Sequence, residues 1–301
     1  MRHELDAREY KLLLNPDRFK EASAEIVAGS FWEENLKPLI GARLDPRGGG
    51  EPRHAGRFTE RTERVVRFWD TPDCMLTRAD LALRERLAID AEGNSAPRPE
   101  ITLKLRMADL FVVAAVNLPG RSGARTSFEE DIGPLEVDDP QPGTRSIVMP
   151  ESRSIRSRFA RSITQVAEWS TSQRSLAGLN LLFPTLHEIL ETSDTPVMTN
   201  TALTSGPNIR ELVFKGARVK FGAEIIGKFA LTLWYFGAKH STPTVAEISF
   251  KCATLAGDMP GKAAQRALAL FVGMQSELDG WVNSEHSSKT ALALPEGCAR
   301  F

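Results

Sequence analysis

The residues best suited to chemistry in this chain are charged and recur at a spacing of two. Arg84 and Arg86 stand in Ala82–Ile89, where Leu83, Glu85 and Leu87 alternate with Arg84, Arg86 and Ala88. Strict alternation is the mark of a strand, whose successive side chains point to opposite faces. Two arginines on one face repel each other and are costly to bury unless an anion lies between them. The same spacing places Glu9 and Lys11 with Leu13, groups Thr102, Lys104 and Arg106, and groups Arg125, Ser127, Glu129 and Asp131. Cations arrayed on strand faces can grip a polyanion, and carboxylates among them can hold a hard divalent cation beside it.

The elements that must position these side chains are mostly strands. Val65–Trp69 is β-branched and aromatic, and Asp70-Thr71-Pro72-Asp73 has turn chemistry before the arginine strand begins. Glu4–Leu14, Ile101–Arg106, Arg125–Ile132, Ile209–Phe221, Lys228–Phe236 and Val245–Lys251 read as further strands. Asn15-Pro16 opens a helical region reaching Leu44, with Phe19, Ala22, Ile26, Phe31, Leu36, Leu39 and Ile40 as its apolar stripe. Gly261–Val282 is an amphipathic helix, whereas the apolar run Asp109–Val116 is compatible with strand or helix. Pro134–Pro150 is rich in Pro, Gly and Asp and reads as a linker. Phe159, Ile163, Val166 and Trp169, then Leu182, Leu186, Ile189 and Leu190, sit at helical spacing, so 151–205 is expected to be a helical insertion. Arg153, Arg156, Arg158 and Arg161 would then form a solvated helix face.

The wording from Trp69 to Asp73 and from Leu76 to Arg86, Trp-Asp-Thr-Pro-Asp and Leu-Thr-Arg-Ala-Asp-Leu-Ala-Leu-Arg-Glu-Arg, closely resembles the second and third strands of the CYTH superfamily. These are the triphosphate tunnel metalloenzymes: class IV adenylyl cyclases, thiamine triphosphatases and inorganic triphosphatases. The resemblance implies one α+β domain over 1–301, an antiparallel barrel forming a triphosphate tunnel, with flanking helices and the insertion between its halves. It implies metal and catalytic roles for Glu9 and Glu247, a catalytic role for Lys11, and further metal ligands in Glu129 and Asp131. It implies phosphate contacts from Arg84, Arg86, Lys104, Arg106, Arg218, Lys220 and Lys289, the last in the His286-Ser287-Ser288-Lys289 stretch. The chain departs from the family's pattern at two acidic positions, occupied here by Ala7 and Ser249.

The expected ligand is a triphosphate-containing small molecule, whether inorganic triphosphate, thiamine triphosphate or a nucleoside triphosphate, with Mg2+ or Mn2+ as cofactor. The implied activity is metal-dependent phosphohydrolysis; the alternatives are a class IV-type cyclase and a degenerate, non-catalytic phosphate binder. Composition narrows the rest. A net charge of −1 over 301 residues argues against a double-stranded nucleic-acid binder, so basic chemistry must be local. Cys74, Cys252 and Cys298 are too few and scattered for a disulfide framework or zinc site. With no apolar run of membrane length and no signal-peptide pattern, a soluble cytoplasmic protein is expected, and a homodimer is left open.

Overall fold

The computed structural model describes residues 4–45, 51–90, 92–138, 145–147, 155–191, 201–237, 242–278, 280–283 and 289–298. Its centre is a ring of nine strands: β1 (Ala7–Leu14), β2 (Glu60–Asp70), β3 (Leu81–Ile89), β4 (Glu100–Met107), β5 (Arg125–Pro134), β6 (Ile155–Val166), β7 (Ile209–Lys215), β8 (Ile226–Phe236) and β9 (Val245–Ala253). Around the ring the order is β2-β3-β4-β6-β5-β1-β9-β8-β7, and β7 returns to β2 to close it. Every pair is antiparallel except β1 with β5, because the N-terminal strand slots in between β5 and β9.

Alternation sorts the side chains into three zones. Leu83, Leu103, Leu105, Phe128 and Ile163 face outward into an apolar layer shared with two helices, Leu176–Leu182 and Leu186–Glu191. On the opposite flank Tyr10, Leu12, Leu14, Leu231, Leu233 and Phe250 meet helices Ala24–Ser30, Lys37–Leu44 and Gly261–Glu277. Covering both outer faces removes most of the ring's apolar side chains from water and leaves the lumen largely to the polar members of the alternating runs. A third, small cluster lies inside one end of the barrel, where Leu13, Val66, Phe68, Ile209, Trp234 and Val245 meet Ala293.

The turn between β2 and β3 is fixed by a buried carboxylate. Asp70 is wholly enclosed and accepts from the backbone N–H of Thr71 (2.7 Å), Leu76 (2.9 Å) and Thr77 (2.9 Å), and from the Thr77 hydroxyl (2.7 Å). Such multiple donation satisfies a buried charge, and here it aims the start of the arginine strand.

The sequence expectation is corrected at several places. Ile155–Val166 is a strand of twelve residues between β4 and β5, not part of a helical insertion. Phe159 and Ile163 are four apart, an even interval that satisfies helix and strand alike, and the pairing with two neighbours decides for the strand. Helix within 151–205 is confined, among the described residues, to Leu176–Leu182, Leu186–Glu191 and a 3-10 turn at Thr171–Gln173. The 109–116 run resolves as helix Leu110–Ala115, capped by the Asp109 carboxylate. The linker contains a short strand pair, Glu136–Asp138 with Arg145–Ile147. Two of the three cysteines, Cys74 and Cys298, form a disulfide across 224 residues, so cysteine usage does not argue for a reducing compartment. No described helix is long and apolar enough to cross a membrane. Arg153, the Gly48–Gly50 run and His286-Ser287-Ser288 lie outside the described residues.

The strand expected over 209–221 breaks at Gly216, whose φ of 111° is open to glycine and strained for other residues. A Cβ there would run into the Arg57 carbonyl. Gly216→Ala should therefore lower unfolding stability in urea by about 1–3 kcal/mol, whereas Gly29→Ala, in a helix with open space around it, should be neutral or mildly stabilising. Equal effects of the two would show that the break is not sterically required.

Candidate active site

The lumen is organised around two carboxylates, each set among cations. Asp131 on β5 is 2% exposed and is approached by Lys11 Nζ (2.7 Å), Lys104 Nζ (2.8 Å) and Arg106 Nε (3.2 Å). These come from β1 and β4, which the ring places on either side of β5 and β6. Burial alone would raise the Asp131 carboxyl, but Lys104, Lys11 and Arg106 outweigh it and hold it well below the usual carboxylate range. Lys11 lies also 3.1 Å from Glu9. Its ammonium is raised, since Asp131 and Glu9 override the burial that would lower it, so at neutral pH it is a fixed cation. Lys104 goes the other way: burial lowers it, only partly offset by Asp131.

Glu211 on β7 anchors the second group and is 1% exposed. Arg86 lies 3.4 Å from it and Arg64 3.6 Å, while the Trp234 indole N–H donates to it at 2.9 Å. Burial would raise this carboxyl; Arg86, Lys289 and the Trp234 donor bring it down to about 2. Arg84 stands beside Arg86 with no ion-pair partner among the described residues, and its Nε is buried without an acceptor. Burial, then the neighbouring Arg86 charge, lowers its guanidinium to about 9. It stays protonated at neutral pH, as a cation held where its charge is disfavoured.

Glu9, Glu129 and Asp131 bring one carboxylate oxygen each to within 4.8 Å of one another. Three hard oxygen donors at that spacing fit a small divalent cation, and Lys251 sits on Glu129 at 2.5 Å. Glu247 is not of this group. Its carboxylate is bound by Lys289 at 2.6 Å, whose ammonium lies 4.9 Å from the Trp234 ring centre. Ala7 and Ser249 line the same wall as enclosed small residues. Nine strands closed into a barrel, with a charged lumen and helices on the outer faces, match the α+β barrel architecture expected from the sequence.

Of the expected site residues, the ring brings together Glu9, Lys11, Lys104, Arg106 and Asp131, with Glu129 alongside, and sets Arg84 and Arg86 near Glu211. Arg218 and Lys220 are corrected: both are exposed on a short strand beyond Gly216, paired with β8 and with His54–Ala55. Lys289 contacts Glu247 and Trp234. Arg158, expected on a solvated helix face, lies cross-strand from Asp131, while Arg161 points the other way over the Phe128 ring. Sequence reasoning missed Glu211 and Arg64. The signal for Glu211 is an acid interrupting an apolar run, Ile-Arg-Glu-Leu-Val-Phe, ahead of the basic residues Lys215, Arg218 and Lys220.

No protein-family model and no curated protein matches the chain in sequence. Among solved structures it is similar to HpAC1 of Hippeastrum, described as an adenylyl cyclase candidate with a dominant triphosphatase activity; identity is 12%, coverage 94% of this chain and 93% of that one, TM-score 0.43. It is similar also to a candidate adenylate cyclase of Bacillus halodurans, at 11% identity, 94% and 96% coverage and a TM-score of 0.38. The PH1819 protein of Pyrococcus horikoshii OT3 is similar at 9% identity, 92% and 90% coverage and a TM-score of 0.33.

The depressed Glu211 carboxyl fixes a pH dependence. A carboxylate lowered on folding contributes stability that is present above its unfolded value, near 4.5, and is lost as pH falls towards about 2. Acid titration of unfolding should show this limb, worth on the order of 3 kcal/mol across that window. In Glu211→Gln the limb should be shallower by that amount; an unchanged acid limb would mean that Glu211 is not held ionised by its cations.

Proposed function

We propose that the barrel is a metal-dependent phosphohydrolase site for a triphosphate or nucleoside triphosphate. The observation that carries the reading is the guanidinium trio Arg64, Arg84 and Arg86, which faces Glu211 and in which Arg84 has no ion-pair partner among the described residues. Positive charge buried beyond what its carboxylate can balance is stabilised by an arriving anion. Planar guanidiniums suit the paired oxygens of phosphate. Lys11, Lys104 and Arg106 extend the cationic surface towards Glu9 and Glu129. A chain of several phosphates would therefore meet cations along its length, where a single phosphate would engage only part of the set.

Glu9, Glu129 and Asp131 would hold the divalent ion, Mg2+ or Mn2+ by their hard oxygen donors. When bound, such an ion polarises a phosphoryl oxygen and activates water. The protein's own groups do the rest. Arg84 and Arg86 orient the phosphate chain and stabilise charge as a phosphorus–oxygen bond breaks. Lys11 keeps its proton and acts as a fixed charge, while Glu9, lowered by Lys11 against the opposing effect of burial, stays ionised and can orient a water.

A second reading, a binder without turnover, is favoured by one observation. Glu247 is occupied by Lys289, and Ala7 and Ser249 supply no carboxylate, so the acidic set is small and Asp131 is shared with three cations. Incubation with inorganic triphosphate and, separately, ATP in Mg2+ or Mn2+ decides among the readings. Release of phosphate is the expected result; cyclic AMP with pyrophosphate would instead make the site a cyclase. Metal-coupled binding by calorimetry with neither compound consumed would make it a binder.

Arg84→Ala should weaken inorganic triphosphate binding by about 1.5–3 kcal/mol, the scale of hydrogen bonds to charged groups. Its unfolding stability should hold or rise, because a buried like-charge contact is relieved. Undiminished binding in this variant would remove the observation on which the function rests.

A further inference from the structure

The C-terminal strap from Lys289 to Cys298 lies against one end of the barrel. Ala293 and Leu294 pack with the inward-facing Leu13, Phe68 and Trp234 there. Gly206 makes room for it, since a Cβ at that position would collide with the Ala293 carbonyl. At its start, Lys289 binds Glu247 and rests over Trp234, which itself donates to Glu211. At its end, Cys298 is joined to Cys74, in the turn that Asp70 organises ahead of Arg84 and Arg86.

The strap belongs to no strand pair of the ring. The backbone hydrogen bonds made by its own N–H groups, Ala293 to Thr290 and Cys298 to Pro295, are internal. Beyond side-chain packing and one ion pair, its covalent tie is the bridge, which closes a loop of 224 residues. Loops of that length gain most from a cross-link, because the open chain samples so many more states.

We propose that the Cys74–Cys298 disulfide is a redox latch that seats the strap in the end of the barrel and keeps Lys289 on Glu247. A dithiol reductant would supply two electrons and two protons: its first thiolate attacks one sulfur, and its second displaces the mixed disulfide. The Cys74–Cys298 bond breaks, each cysteine takes one proton, and the dithiol leaves as a disulfide. Once freed, Lys289 no longer offsets Glu247, and the uncovered carboxylate repels an incoming phosphate. This binding consequence rests on the proposed function; the seating of the strap does not.

The test therefore has two readouts on the full chain. Hydrogen–deuterium exchange of the 289–298 peptide reports seating; calorimetry with inorganic triphosphate and Mg2+ reports binding. Dithiothreitol, or the Cys74→Ser/Cys298→Ser variant, should speed exchange in 289–298 at least tenfold while β1 and β9 remain protected. Either should also weaken triphosphate binding about tenfold, the scale of one lost charge-assisted contact. Lys289→Ala should weaken binding equally in the oxidised protein and leave reduction with little further effect, and Lys289→Arg should restore the response. Unchanged exchange on confirmed reduction of the bond would overturn the latch. Faster exchange with binding unaltered would overturn the role of Lys289 in the site. Should the oxidised protein not bind triphosphate at all, the proposed function fails, and exchange alone decides the latch.

Discussion

The site depends on Asp131 being ionised and enclosed. Lys11, Lys104 and Arg106 come from strands on either side of it, and it is the carboxylate that balances their shared positive charge. Removing a single partner of a buried ion cluster typically costs about 3–5 kcal/mol, because the remaining charges stay buried and unmatched. The dependence runs both ways: the same cations hold the carboxyl ionised against the burial that would neutralise it. The parallel pairing of β1 with β5 creates this junction, since it sets Glu9 cross-strand from Asp131 and brings Lys11 within reach.

Charge of this density inside a barrel is tolerable because the apolar work is done elsewhere. Two outer layers bury apolar side chains on the outer faces of most ring strands, and the cluster around Leu13, Phe68 and Trp234 fills one end. The lumen is thereby free to be polar, and the surplus around Arg84 is left without an acceptor. Sites that must bind charge commonly keep strain of this kind, offset by stability gained in the surrounding scaffold.

Much of this was legible in the sequence because alternation is a strong signal where each strand has one apolar face. The parities of Glu9 and Lys11, of Arg84 and Arg86, and of Lys104 and Arg106 all followed from it, as did the turn after Trp69. What failed did so for identifiable reasons. Phe159 and Ile163, four apart, cannot distinguish strand from helix, and β6 pairs with β4, far upstream in the chain, as well as with β5. Gly216 ends β7 and turns Arg218 and Lys220 out of the lumen, where a single glycine within a basic run gave no warning. The Cys74–Cys298 bridge spans most of the chain, and no local pattern encodes such a contact.

Glu247 shows best how position and chemistry can part company. It lies on the expected strand, but Lys289, brought in by the strap, holds its carboxylate. A carboxylate neutralised by an ammonium contributes less to a divalent ion than a free one, since the ion must first displace the lysine. Asp131 is likewise engaged by its three cations, so Glu9 and Glu129 are the less encumbered donors of the acidic group. An ion entering this lumen therefore meets competition from cations already built into the walls. Under the proposed function, phosphate oxygens would resolve that competition by drawing the lysines and arginines towards themselves and releasing carboxylate oxygens to the metal. Metal and phosphate should thus bind cooperatively in this barrel, each removing part of the electrostatic cost of the other.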